Sequence, residues 1–459
     1  MMKMMFQQNV LGRNVMKEVD VVIVGAGFAG LSAAWELTKR KVNIAVIEAM
    51  DRVGGRVHSF QTKDAVTVDL GAQWVGRYQR RIRALAKEFS LPLVKTYTKG
   101  KMTYNLRGTI EKIEGEHPPL SPEGLSDLFQ LKEKIERLVA ELPEQDIWNS
   151  SLAKELDTYN LDAWIQTNMF TEEGRNFFRL FAEVMCVELY EPSALDFLWC
   201  VKTSGGFQHV LTAEEEWFSD GAYTLALKMA DAMKDHIYVS TPVKRIEYGE
   251  NGVIVLTEKQ VWKAKKVIVA IPPAVSGRIE YNPPLPAERS IITEKINQSS
   301  VIKVILIYDR PFWREEGLNG HAQCDRGLIR LVADSSPTDG RKGVLTVLSG
   351  GRYAKELAQL EKQRRKQTVL KEIGLLFGPR AEQPIEFYEK DWTEEPWIRG
   401  GYAAHFPPKI ITSFGEWLHQ PIGPIHWAST ETADEWKFYM EGAIQSGERA
   451  AKEVLNRLT

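Results

Sequence analysis

Cysteine is scarce in this chain. The 459 residues hold three, Cys186, Cys200 and Cys324, and no Cys-x-x-Cys pair. Neither a disulfide framework nor a cysteine zinc site is indicated, and a reducing compartment fits best. Long apolar runs are missing too: no window approaches the roughly 18 continuous apolar residues a membrane-spanning helix needs. At the N-terminus Met4-Met5-Phe6 gives way at once to Gln7-Gln8-Asn9, too short for a secretory-signal core. Residues 1–17 therefore read as a short disordered leader on a cytoplasmic protein. Charge is balanced, with 59 Lys+Arg against 61 Asp+Glu, so the footprint of a nucleic-acid binder is lacking. The basic runs at 79–83 and 362–366 sit in helix-like sequence and read as solvated helix faces. No internal repeat or low-complexity tract occurs.

The length exceeds one simple core and predicts about two domains. Residues 19–24 read as a strand, 25–30 as a turn, 31–39 as a helix and 42–47 as a second strand. That is the unit of a parallel sheet. From about 120 to 200 the periodicity is helical, with Leu125, Leu128, Leu131, Ile135 and Leu138 at spacings of three and four. Strand-like segments follow at 237–239, 243–248, 253–256, 267–271, 301–308 and 344–348. Residues 353–377 and 439–458 read as helices. The alternation predicts an α/β protein of two interleaved, discontinuous domains, with the proline-rich 281–286 marking a crossing between them.

The turn Gly25-Ala26-Gly27-Phe28-Ala29-Gly30 matches G-x-G-x-x-G directly after a strand. The first glycine permits the tight turn, the second lets backbone N–H groups approach a pyrophosphate, and the third lets helix and strand pack closely. The helix N-terminus offers unpaired donors and partial positive charge to phosphates. Glu48 ends the second strand, where an acid accepts hydrogen bonds from ribose hydroxyls and disfavours a 2′-phosphate. Asp51-Arg52-Val53-Gly54-Gly55-Arg56 follows, a second glycine pair whose arginines can add donors to the pyrophosphate.

These motifs, with several others, resemble the flavin-containing monoamine oxidase family. The others are 69–76 (Asp-Leu-Gly-Ala-Gln-Trp-Val-Gly), 270–273, 282–286, 301–303 leading to 311–313, Trp392 leading to Gly400-Gly401-Tyr402 and 406–408, and 430–451. The similarity runs in order over nearly the whole chain and is weakest in 100–180 and 315–390. It implies a Rossmann-like FAD-binding domain from 18–95, 215–290 and 392–459. It also implies a substrate domain of mixed sheet plus helices from 96–214 and 291–391. The implied cofactor contacts are Gly25, Ala26, Gly27, Ala29, Gly30, Glu48, Arg52, Gly55, Arg56, Gly71, Ala72, Gln73, Trp74, Val243, Trp392, Trp397, Glu431 and Met440. Glu431 bonds the ribityl chain, the two tryptophans pack on the ring, and the helix from Met440 aims its positive end at the flavin.

The sequence departs from the family at four places. Gly401 stands where covalent-flavin members carry cysteine, so FAD is expected to be non-covalent. The chain stops soon after its last helix, so no membrane-anchoring tail is expected. Ser429 replaces a glycine before the Thr-Glu pair, and Asp220-Gly221-Ala222 replaces paired glycines.

Lys303 lies in Val301-Ile302-Lys303-Val304-Ile305-Leu306-Ile307-Tyr308, a strand apolar on both faces and so buried. An ammonium there must reach water, a partner or a cofactor, or lose its charge. The resemblance gives it a water beside the flavin. It makes Tyr402 and Tyr439 an aromatic pair flanking the substrate amine. The implied reaction is amine to imine with a hydride equivalent passed to FAD, oxygen reduced to hydrogen peroxide, and the imine hydrolysed. Substrate contacts are expected at Met185, Cys186 and Leu211, mostly apolar, which favours an aromatic or aliphatic monoamine; the resemblance ranks a monoamine above an amino acid because the loop at Gln73-Trp74 lacks the arginine that amino-acid oxidases of the superfamily often place there. Arg330 falls near the substrate entrance; pointing inward, it would pair with a carboxylate and favour an L-amino-acid oxidase. Two further readings stay open: a dehydrogenase that reduces a carrier protein, and a flavin-binding protein without turnover. A homodimer is common in the family.

Overall fold

The computed structural model describes residues 16–115, 117–183, 185 and 187–458. Compactness divides the chain into two units. One gathers the N-terminal part to Gly55, Leu225–Lys295 and the part from Phe414; the other is Arg56–Thr224 with Ile296–Ser413. These compact units are divided differently from the expected domains: 56–95, 215–224 and 392–413 group with the second unit, 291–295 groups with the first, and 281–286 lies inside the first. Pairing explains the regrouping. Ser59–Gln61 pairs with Thr67–Asp69, both Trp74–Val75 and Leu93–Lys95 pair with Glu216–Phe218, and Trp392 N–H donates to Val301 O at 3.1 Å. Of the expected leader, Met16 and Lys17 instead open the first strand; residues 1–15 lie outside the described residues.

The first unit carries a sheet of eight strands. Met16–Val24 is central, parallel to Ile44–Ile47 on one side and to Val261–Val269 on the other. The long Val261–Val269 strand serves two neighbours. Its first half pairs antiparallel with Gly252–Thr257, and its last residues pair parallel with Ile425–Trp427. Val21 to Val24 are at most 5% exposed, as expected of a parallel sheet covered on both faces. Val22 and Val24 join Ala45, Ile47, Val267 and Val269 in one core.

The helix Phe28–Lys39 follows the glycine turn, and the closing helix Met440–Leu455 packs against it. The small residues of the closing helix make this contact possible. A Cβ on Gly447 would stand 2.1 Å from Ala29 O, so the helices touch backbone to backbone.

The second unit carries a seven-stranded sheet, ordered Glu386–Asp391, Val301–Tyr308, Gly343–Gly350, Leu331–Asp334, Leu318–Cys324, Lys101–Leu106 and Thr109–Ile113. Strand periodicity sorts the Val301–Tyr308 side chains onto two faces. Ile302, Val304 and Leu306 enter the core with Leu357, Val369 and Ile373 of the helices Gly351–Gln359 and Lys362–Phe377. Ile305 and Ile307 meet Val66, Val68 and Leu70 on the other face. The helical stretch expected over 353–377 is two helices, separated at Leu360-Glu361. Among the described residues no helix is long and apolar enough to cross a membrane.

Gly447→Ala places a methyl where backbone now sits. It is expected to destabilise the protein by about 1–3 kcal/mol, read as a lower thermal midpoint, whereas Ala450→Gly on the same helix costs about 1 kcal/mol.

Candidate active site

In the first unit the glycine turn has the shape its spacing predicts. Gly25 adopts φ +102°, and a Cβ there would come within 2.7 Å of Ala270 O. A Cβ on Gly30 would be 1.9 Å from Gly25 O. Gly27 is the N-cap of Phe28–Lys39, and no side chain caps that helix. The second glycine pair lies against the first: Gly54 N–H donates to Ala26 O at 2.8 Å, and Gly55 has φ +57°.

Glu48, 5% exposed, accepts from Ala26 N–H at 2.7 Å and from Met50 N–H at 2.8 Å. Burial raises its carboxyl above the usual range, while these N–H donors and Arg52 oppose the rise. Arg52 folds onto its own loop, donating to Val53 O at 3.1 Å and Gly55 O at 3.0 Å. A backbone cradle without side chains at an uncapped helix N-terminus fits a pyrophosphate. Val243 is half-buried at the edge of the same core, and Glu431 is fully buried. Tyr439 is half-buried and precedes the closing helix, whose N-terminus also has no side-chain cap. Its ring meets Trp436 edge-on at 5.1 Å.

In the second unit Lys303 is 3% exposed. Its ammonium donates to Gly71 O at 2.9 Å and Gln73 Oε1 at 3.0 Å, and stands 5.2 Å from the Trp74 ring centre. Gln73 is held in turn, its Nε2 donating to Ser335 Oγ at 2.9 Å, which contacts Thr346 Oγ1 at 2.8 Å. Gly71 must be glycine: a Cβ would lie 2.3 Å from Arg56 O.

The charge partners are carboxylates that sequence reasoning did not single out. Asp69 lies on the adjoining hairpin, 3% exposed, bonded by Ser59 Oγ and by Ala222 N–H at 3.0 Å. Burial pushes Asp69 up to about 6, with Lys303 opposing. Burial pulls Lys303 down to about 8, with Asp69 and then Glu214 opposing. This accounts for Asp220-Gly221-Ala222. Gly221 takes φ +79° where a Cβ would meet Ser59 Oγ at 2.5 Å, and the turn delivers the Ala222 N–H to Asp69. Asp69 stood inside a quoted motif, but its burial depends on pairing that no local pattern shows.

Around this lysine Trp392 is buried, its Nε1 donating to Leu70 O at 2.8 Å. Trp397 is half-buried, as are Ala72 and Tyr402. Arg56, expected on the cofactor, donates to Tyr402 O at 2.7 Å. Gly401 has no room for any side chain, a Cβ lying 2.3 Å from Val301 Cγ1.

The expected substrate residues fare unevenly. Met185 is half-buried, its carbonyl taken by Ser299 Oγ at 3.2 Å. Leu211 is 46% exposed at the end of a short helix, and Cys186 lies outside the described residues. Arg330 does not point toward Lys303. Directly paired residues share a face, so Lys303, Leu348 and Leu331 stand in one row. Arg330 turns to the helix-covered face, where its guanidinium lies 3.6 Å from the Tyr353 ring centre, bonds Gly327 O and stands 4.0 Å from Glu183. Leu331 and Leu348, not Arg330, share the lysine's side of the sheet.

Because Lys303 loses its proton near 8 in the fold but at its ordinary 10.5 when unfolded, the native state binds fewer protons between those values. Its contribution to stability therefore rises with pH across that window. Melting curves from pH 8 to 10.5 are expected to show the wild type gaining on Lys303→Met, by at most about 3 kcal/mol. Parallel curves would contradict the assignment.

Comparison with known proteins agrees with this geometry. Residues 28–455 match the model of the family described as flavin containing amine oxidoreductase. A flavin-containing amine oxidase of Oncorhynchus mykiss is 35% identical over 446 residues, 95% of this chain and 85% of that protein. An L-amino acid dehydrogenase of a Synechocystis strain is 35% identical over 452 residues, 96% and 95%. The structure of a wild-type putrescine oxidase bound to putrescine superposes with TM-score 0.93 at 31% identity, covering 96% of this chain and all of that one. The chain belongs to the flavin-containing amine oxidase family, and is an FAD-dependent oxidoreductase acting on amines.

Proposed function

We propose that this enzyme oxidises a primary or secondary monoamine at a non-covalently held FAD, with oxygen as acceptor and hydrogen peroxide and an imine as products. The observation that carries the reading is the Lys303 ammonium, buried in a sheet yet fixed by Gly71 O and Gln73 Oε1. Structural stability alone does not require a cation in that position. FAD supplies the two-electron acceptor, which no side chain can provide.

The protein's own groups bind, orient and exclude water. The first unit takes the nucleotide half, with N–H groups of 25–30 on the pyrophosphate. Glu48 accepts one backbone bond per oxygen, from Ala26 N–H and Met50 N–H, and keeps lone pairs for ribose hydroxyls. Glu431 would hold the ribityl chain, and the helix N-terminus at Met440 would offer its partial positive charge to the flavin. Tyr402 and Tyr439 flank the amine and align its lone pair, while Lys303 holds a water. The amine reacts in its neutral form, so its deprotonation shapes the pH profile. Gly401, without space for a side chain, supports non-covalent binding.

Cys200 and Cys324 are buried thiols outside any disulfide, with burial pushing the Cys324 thiol up to about 12; both support a reducing, cytoplasmic setting. A homodimer is the proposed assembly. The second reading, oxidation of an L-amino acid, takes support from the Synechocystis relative's name, but Arg330 faces Tyr353 instead of the lysine.

Anaerobic phenethylamine is expected to bleach the yellow flavin bands, and phenylalanine to do so far less; the reverse order would select the amino-acid reading. Lys303→Met is expected to stay yellow while turnover with oxygen falls about 10²-fold.

A further inference from the structure

The second unit holds a cavity of about 410 Å³, lined in part by Leu180, Glu183, Leu189, Arg330, Arg352 and Tyr353. It lies on the helix-covered side of the sheet that Arg330 faces, away from Lys303. The amine chemistry proposed above does not use it. Its walls mix the two kinds of surface that a small organic ion needs. Leu180 and Leu189 are apolar and only 3% and 6% exposed. The Tyr353 ring carries two guanidiniums, Arg330 at 3.6 Å and Arg352 at 4.7 Å from its centre.

Arg330 is short of acceptors. It is 2% exposed, yet among the described residues its guanidinium makes one hydrogen bond, from Nη2 to Gly327 O. Its Nε–H is buried without an acceptor. The Glu183 carboxylate stands 4.0 Å from Nη1, too far for a hydrogen bond. Unmet donors on a buried cation are costly. Other acids at the cavity are already engaged. Asp162 takes Arg179 at 2.7 Å, Asp325 takes the Arg107 N–H at 3.0 Å, and Glu188 accepts from the Arg352 N–H. Burial raises the Glu183 carboxyl, with Arg330 opposing; the rise favours its neutral form, which does not repel an anion. Arg352 donates to Tyr353 Oη at 2.6 Å and makes no ion pair among the described residues. The loop that carries Arg330 is fixed without help from any ligand. Leu328 and Ile329 N–H each donate to Glu372 at 2.9 Å, and Arg330 N–H donates to Leu348 O at 3.0 Å. An immobile guanidinium with spare donors at a cavity wall is preorganised for an anion.

We propose that this cavity binds a small carboxylate with an apolar body, its oxygens on Arg330 and Arg352 and its chain against Leu180 and Leu189. A planar guanidinium meets a carboxylate through two parallel hydrogen bonds, which selects it over a neutral amide. The volume suits a small molecule. The site stands apart from the buried lysine, so occupancy does not require turnover. A plain fatty carboxylate and the carboxylate of an amino acid share this chemistry.

The test is anaerobic isothermal titration of the FAD-loaded enzyme with 4-methylpentanoate, with L-leucine, and with the uncharged 4-methylpentanamide. At least one of the two carboxylates is expected to bind and the amide to bind far less; leucine alone binding would narrow the ligand to amino acids. Arg330→Met is expected to weaken binding at least about tenfold. Arg330→Lys should recover only part of it, since an ammonium lacks the planar fork. Lys303→Met should bind as the wild type does. Melting temperature reports folding of each variant. Should Arg330→Met fail to fold, the exposed Arg352→Gln decides, with an expected loss of about threefold. Failure of both carboxylates to bind, equal binding of the amide, loss of binding in Lys303→Met, or undiminished binding in a folded Arg330→Met overturns the inference, and none of these outcomes touches the amine-oxidation reading.

Discussion

One buried ammonium organises the second unit. Placing Lys303 in a strand covered on both faces is costly unless every donor finds an acceptor and some negative charge stands within reach. The acceptors are a backbone carbonyl and a side-chain amide, Gly71 O and Gln73 Oε1. Each brings its own requirement. Gly71 must lack a side chain to lie against Arg56 O, and Gln73 must be turned by Ser335 so that its oxygen faces the lysine. The countercharge, Asp69, in turn needs the hydroxyl of Ser59 and the N–H that the 220–222 turn presents. Segments from four parts of the chain are thereby committed to one amine.

The charge states follow from the same burial. Desolvation drives Asp69 up and Lys303 down, to about 6 and about 8. Between those values both groups are ionised, and the pair works as an ammonium opposed by a carboxylate. Below that window the acid is neutral, and above it the amine is. The neutral acceptors keep the lysine in place in either form, since an amine retains two N–H donors. Position is thus set by hydrogen bonds, and charge by distance to carboxylates.

The first unit solves a different problem, bringing backbone rather than charge to its ligand. Glycines at 25, 27, 30 and 55 clear the space, and Glu48 pins the turn from beneath. Gly447 lets the closing helix press on Ala29. No buried cation is needed, because the donors for a phosphate are the N–H groups of the helix end.

What the sequence determined on its own was local. The glycine spacing after an apolar strand, the acid at 48 and the two-sided apolar run around Lys303 are each legible within about thirty residues, because turn geometry and side-chain periodicity are short-range properties. The unit boundaries, the division of 353–377 into two helices, the direction of Arg330 and the role of Asp69 were decided by tertiary structure. Those depend on which strand pairs with which: the bonds from Lys303 to Gly71 and Gln73 span 232 and 230 residues of sequence. Pairing over such separations is fixed by the packing of whole sheets, and no window of residues encodes it alone.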